Sequence, residues 1–350
     1  MLKDRKDILF QVLGPFLALL LSFVVGGIFI WGIGKDPLEV YGMFFSETVG
    51  SPYGIGQVLF KATPLMFTGL SAAIALRAGL FNIGADGQLA IGAFATALIG
   101  FAFPSLPAVV LVPLCLLGGV LGGALWGYIP GLLKARFGAH EVINTIMMNF
   151  IAAAIISYLI NNYFGVPATI HTPQISPSAE LPRLGRMFDS LQGSPVNVSL
   201  FLALLACAFM YYLLWRTRLG YEIRVMGLSP SAADYAGINI RRRLIMTMAI
   251  AGAFAGLVGS NFVLGYKHYF ELGFAEGTGF IGIAVALVGR NHPVGIVLAA
   301  LFFGVLEYGG LTINTMVPKE LVNILQAIVI LFVIILSKLF SRWAMQFQHN

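Results

Sequence analysis

Long apolar runs separated by short polar connections dominate this sequence, and they decide which solvent the chain can fold in. A helix needs about 20 apolar residues to cross a hydrocarbon core. Runs of that order cover roughly residues 8–34, 57–79, 88–103, 107–133, 143–162, 199–215, 243–266, 294–316 and 320–340. One further run, 276–289, is short and fits a half-helix or re-entrant segment. Only 10% of the residues are charged and 58% are apolar, too few polar groups to cover a water-soluble fold but enough for one solvated mostly by lipid. The expected fold class is therefore all-α: a polytopic integral membrane protein with about ten transmembrane helices (eight to ten), some of them broken or short. With no internal repeat or low-complexity stretch, residues 1–350 read as a single transmembrane domain.

The basic residues orient this scheme. Met1–Asp7 is basic, and the run that follows is too long for a signal-peptide core, so the first span is expected to be retained with its N-terminus in the cytoplasm. Ten crossings then place Lys3, Arg5, Lys6, Arg77, Lys134, Arg136, the six arginines from Arg216 to Arg243, Arg290, Lys338 and Arg342 inside, fifteen of the 21 basic residues. That bias has the sign the positive-inside rule demands. Both termini and the arginine-rich segment 216–242 are expected in the cytoplasm, and the Pro- and Ser-rich segment 163–198 outside; eight crossings would keep both termini inside as well. The net charge of +6 is dispersed between apolar runs rather than gathered in a patch, which argues for lipid and against nucleic acid as the partner.

Signatures of enzymes are missing: the sequence contains no GxxxxGK[ST], HExxH, GxSxG or CxxC. The chain is expected to bind no ATP of its own and to catalyse nothing. Its five histidines are scattered, so no metal site is expected, and Cys115 and Cys207 sit within apolar runs as small hydrophobes.

Three segments depart from plain hydrophobicity. Ala78–Gln88 (AGLFNIGADGQ) crowds glycines with Asn82, Asp86 and Gln88. It reads either as an ordinary polar connection or as a broken-helix element whose side chains satisfy freed backbone groups beside a pathway. Within 216–243, Ser229 as N-cap, Pro230 at the first helical position and Gly237 as stop define a helix of under two turns. So short a helix needs a partner to hold it, and the segment reads as a docking knob or as an interfacial loop whose arginines touch lipid headgroups. Gly277–Pro293 frames a narrow apolar segment whose Gly279 and Gly282 permit close approach of a helix or a substrate. Pro64, Pro130 with Gly131, and Pro293 mark expected helix breaks, and glycines at 118, 119, 122, 123, 127, 252 and 256 mark expected packing faces. Glu141, Asn144, Asn149, Asn261 and Glu307 are polar groups within spans, where charge is costly.

The stretch FNIGADGQ (81–88) resembles the FNIG-acid-GQ signature of permeases from the branched-chain amino acid and ribose class of bacterial ABC importers. HEVINTIMMN (140–149) and GTGFIGIAVAL (277–287) resemble stretches of the nucleoside-transporting branch of that class, and GLSPSAADYAGI (227–238) is similar to the coupling segment that docks on the ATPase. The matches occur in the family's order over residues 78–310. The first signature more often carries Glu where this chain has Asp86, a change that keeps the charge. Glu307 belongs to none of these motifs.

The resemblance implies the permease subunit of an importer for nucleosides, purine nucleosides such as guanosine included, residing as a multi-pass protein in the bacterial cell membrane. It implies a paralogous second permease, a cytoplasmic ABC ATPase that hydrolyses the ATP, and an extracytoplasmic substrate-binding lipoprotein. Candidate pathway residues are Phe81, Asn82, Asp86, Gln88, Glu141, Asn144, Asn149, Gly279 and Gly282. Candidate coupling residues are Ser229, Pro230, Ala232, Ala233, Asp234, Tyr235, Ala236, Gly237 and Ile238. The alternatives are a secondary transporter driven by an ion gradient, with Glu307 or Asp86 titrating, and an ABC permease for a sugar or another small solute.

Overall fold

In lipid every backbone N–H and C=O must be paired within the protein, and runs of this length can do so only as helices. The computed structural model describes residues 20–318, 322–324, 327–328, 331–332 and 335. Over them the chain is an all-α polytopic membrane protein. Its helices are α1 (Leu20–Gly32), α2 (Pro37–Thr48), α3 (Pro52–Arg77), α4 (Ala85–Ala102), α5 (Ala108–Phe137), α6 (Glu141–Leu159), α7 (Ser199–Arg216), α8 (Arg218–Leu228), α9 (Pro230–Tyr235), α10 (Ile240–Gly256), α11 (Thr278–Val288) and α12 (Pro293–Thr312). Among the described residues seven are long and apolar enough to cross a membrane: α3 to α7, α10 and α12, with α6 and α10 extended by π-helical turns at Ile160–Phe164 and Ser260–Lys267. The expected run at 276–289 becomes α11, only 11 residues long, as a half-helix would be. The start of the first expected span and most of the last lie outside the described residues.

The described residues fall into two compact units, Leu59–Gly304 and those of 20–58 with those of 305–335. In the second of these, Tyr41 of α2 donates to the carbonyl of Phe23 in α1 at 2.6 Å, and Phe44 lies where a Cβ on Gly309 would fall. The α2 helix has no counterpart among the apolar runs. It starts because Asp36 accepts the amide of Leu38 at 2.8 Å and Pro37 occupies the first turn.

In Leu59–Gly304 the centre is built from α4, α5 and α10. A Cβ on Gly123 or Gly252 would strike the backbone of the other helix, and Gly119 meets Gly256 in the same way. These glycines are packing faces, as their spacing predicts. Two expected breaks do not occur, because α3 runs through Pro64 and α5 through Pro130. At Pro64 the reason is visible. Proline has no N–H to give the carbonyl four residues back, and Asn261 replaces it, donating to the carbonyl of Phe60 at 3.2 Å. Asn261 also accepts from Asn197 at 3.0 Å and Ser199 at 3.1 Å.

The segment 163–198 is ordered rather than a loose loop. Its backbone pairs with the coil after α10: the amides of Thr172 and Ile175 donate to the carbonyls of Phe270 and His268 at 2.9 and 2.8 Å, and Leu272 donates back to Ile170 at 3.1 Å. Segment 216–242 holds α8 as well as the short helix expected there. Thr217 accepts the amide of Gly220 at 3.1 Å to start α8, and the buried carboxylate of Glu222 pairs with Arg218 at 2.9 Å and with Arg243 of α10.

Candidate functional site

Residues 78–84 join α3 to α4 without being helical, and their backbone groups need partners that a helix would have supplied. Asn82 and Gln88 provide the inner ones. The Asn82 amide donates to Gln88 Oε1 at 2.8 Å and to Ser71 Oγ at 3.3 Å, while its oxygen accepts from Gln88 Nε2 and from the Gly84 amide, both at 3.1 Å. Both side chains are buried. Asn149 of α6 bridges the outer side: Oδ1 accepts the Gly87 amide at 2.8 Å and Nδ2 donates to the Ile83 carbonyl at 3.0 Å. Thr145, one turn earlier, accepts the Ile83 amide at 3.3 Å. The polar residues of 78–88 and of α6 therefore form one node.

Asp86 extends that node to α11. The N-cap of α11 is Gly277, at φ +82°, which has no side chain to offer the first amides. Asp86 supplies the acceptor from α4, taking the Gly279 amide on Oδ1 at 2.7 Å, and its charge suits the positive end of the helix dipole. At the other end of α11 the same economy recurs with opposite sign. Arg77, the last residue of α3, donates to the carbonyls of Asn291 at 3.1 Å and Arg290 at 3.2 Å, and its guanidinium stacks 5.4 Å from the Trp215 ring centre. Thus α11 is tied at both ends to the two flanks of the 78–85 segment.

Beside the node lies a cavity of about 610 Å³. Asp86 and Asn149 line it, with Phe150, Phe270, Phe274 and Glu276. Phe270 and Phe274 meet edge to face at 5.2 Å between centroids, a preferred aromatic geometry. Of the other candidate pathway residues, Gly279 serves Asp86 and lies against it, whereas Gly282 is pressed onto Thr68 of α3. Asn82 and Gln88 sit behind the wall, and neither Phe81 nor Asn144 lines the cavity. Glu141 pairs with Lys134 at 2.8 Å where α5 gives way to α6. The aromatic residues of 268–277 and Glu276 escaped sequence reasoning, since only folding returns that coil to α4 and α6.

The candidate coupling residues form α9 and its caps. Ser229 accepts the Ala232 amide at 3.3 Å. Gly237 has φ +74° and donates to the Asp234 carbonyl at 2.9 Å, while Ile238 donates to that of Ala233 at 3.0 Å, the paired bonds of a Schellman stop. Ala233 is fully buried within the chain, and Tyr235 is 97% exposed. Pro230, Ala232, Asp234 and Ala236 are exposed and Ile238 is half-buried. Just before this helix cap, Gly227 and Leu228 end α8, and Gly227 lies so close to Arg77 and Ala78 that a Cβ there would strike their backbone.

A family model described as the permease component of branched-chain amino acid transport systems matches residues 54–334. The nucleoside ABC transporter permease protein NupB of Lactococcus lactis subsp. cremoris is 38% identical, over 92% of this chain and 90% of that protein. The guanosine ABC transporter permease protein NupP of Bacillus subtilis is 40% identical, over 92% and 93%. The glucose ABC transporter permease protein TsgB13 of Haloferax volcanii is 37% identical, over 94% and 88%.

Proposed function

The chain belongs to the family of permease components of branched-chain amino acid transport systems, and we propose that it is the permease subunit of an ATP-driven importer for nucleosides in a bacterial cell membrane. The observation that carries the substrate class is the cavity beside Asp86. Aromatic rings on its walls suit the faces of a nucleobase, and carboxylate and carboxamide oxygens suit the hydroxyl and N–H donors of a nucleoside. Two relatives named for nucleosides or guanosine agree with that chemistry.

In this reading a second, paralogous permease completes the path, an extracytoplasmic lipoprotein delivers the substrate, and a cytoplasmic ABC ATPase docks on α9. Segment 163–198 faces outward and 216–242 inward. The exposed ring of Tyr235 enters the ATPase, and closure of the ATPase reaches the polar node through Gly227 and Arg77. Binding energy from ATP then biases one arrangement of the node over another, which is what alternating access requires.

The test is uptake by proteoliposomes holding both permeases, the ATPase and the binding protein. Guanosine accumulation that needs ATP is expected. Accumulation that follows an imposed ion gradient without ATP would establish the gradient-driven alternative instead, and glucose outcompeting guanosine would favour the sugar reading raised by TsgB13. Tyr235→Ala is expected to lower substrate-stimulated ATP hydrolysis and ATPase co-purification several-fold. Ala233 is unsuited to that test, since enlarging a buried residue deforms α9 itself.

A further inference from the structure

The two acids on the cavity wall stand in different positions. Asp86 has one oxygen committed to the Gly279 amide, so its first duty is to the fold. Glu276 is exposed, lies in the coil before α11, and among the described residues no group donates a hydrogen bond or an ion pair to its carboxylate. An exposed carboxylate at the cavity wall with no partner among the described residues is free to accept from a ligand that carries donors. None of the residues lining the cavity is Lys, Arg or His. The cavity wall therefore carries two acidic side chains and no basic one.

We infer that Glu276 is the specificity-determining residue of this cavity, accepting hydrogen bonds from the donors of a neutral nucleoside and rejecting nucleotides by charge. The inference rests on the nucleoside reading above and adds to it which residue discriminates and against what. A nucleoside presents the vicinal hydroxyls of its ribose, a pair that carboxylates bind well elsewhere, and its base can lie against Phe270 or Phe274. A 5′-phosphate adds almost two negative charges to the same scaffold. Glu276 and Asp86 on the same wall, with no basic side chain to offset them, repel such an anion, and rejection of this kind gives selectivity without tighter binding of the preferred solute.

The experiment uses the detergent-solubilised complex of both permeases with the ATPase, without the binding protein, so that no other subunit filters the solute. Ser157→Cys places a thiol on the cavity wall, while the native Cys115 and Cys207 are buried. The rates at which it reacts with a cationic and an anionic methanethiosulfonate are compared. With Glu276 present the cationic reagent should be favoured; Glu276→Gln should lower that ratio several-fold, and Glu276→Asp should restore most of it. Guanosine at millimolar concentration should protect the thiol, guanosine 5′-monophosphate should not, and Glu276→Gln should let the monophosphate protect. A ratio unmoved by Glu276→Gln, or monophosphate protecting as well as guanosine while Glu276 is present, overturns the inference and leaves the nucleoside reading standing. Failure of guanosine itself to protect overturns both.

Discussion

At the scale of single residues, the node illustrates how one polar side chain can serve another element rather than its own. Asp86 caps α11 from α4, so the acceptor oxygen and the negative charge can be separated by substitution. Asp86→Asn keeps an oxygen at that place and should cost the importer only about 0.3–1 kcal/mol, the dipole contribution. Asp86→Leu removes the cap as well, with a loss of about 1–2 kcal/mol and uptake reduced tenfold or more; thermal unfolding of the purified complex and uptake measure the two effects. Glu222 gives a prediction in pH. Burial opposes its ionisation, but the hydrogen bonds and charges of Arg218 and Arg243 outweigh burial and hold its carboxyl below its ordinary value. A group whose pKa is depressed by folding stabilises the fold above its unfolded pKa, about 4.3 for Glu, and loses that contribution as pH falls through the lower folded value. The α8–α10 connection should therefore weaken on acidification below about pH 4, and Glu222→Gln should be weakened already at pH 7 and lack that part of the acid dependence, as followed by limited proteolysis of the 216–242 segment.

At the scale of elements, Asn261 shows how α3 stays helical through Pro64. Asn261→Leu leaves the Phe60 carbonyl and the Ser199 hydroxyl without their partner and takes one of three acceptors from the Asn197 amide, and a buried polar group so stranded costs about 1–3 kcal/mol. The midpoint of thermal unfolding should fall accordingly, and Pro64→Ala in the same chain should recover part of the loss by returning an N–H to the helix. This pair also marks the limit of what can be read from a chain of letters. Hydropathy located α3 to α7, α10 and α12, and the shortness of 276–289 was plain, because lipid forces backbone pairing to be local. The caps of α9 were legible for the same reason, Ser229 and Gly237 acting on amides and carbonyls within four residues. Pro64 misled because its remedy lies 197 residues away in sequence, 261 minus 64. The short helices α2 and α8 were missed since their mixed composition follows no apolar run. Of the cavity, Asp86 and Asn149 were legible as costly polar groups in spans, whereas Phe270 and Phe274 carry no such mark, being two among 28 phenylalanines.

At the scale of the whole molecule, α11 is too short to cross a membrane by itself. Its 11 residues reach about 16 Å at 1.5 Å per residue, roughly half of a hydrocarbon core about 30 Å thick. Non-helical backbone at 268–277 precedes the helix, and the cavity lies against its start, where Gly277 and Phe280 line the wall. A helix so short keeps its position by its moorings, Arg77 at one end and Asp86 at the other, and these flank a single stretch of chain. Cutting one mooring frees one end while the other still holds, so the subunit would assemble and yet fail to seal. Arg77→Leu should accordingly make vesicles containing the complete importer lose preloaded guanosine severalfold faster without ATP, with little loss of complex on purification. Defects in most membrane pumps are imagined as silence. Here loss of the Arg77 mooring would be a slow puncture, with a cell spending ATP to refill what drains back out, and selection on that residue would act on retention more than on uptake.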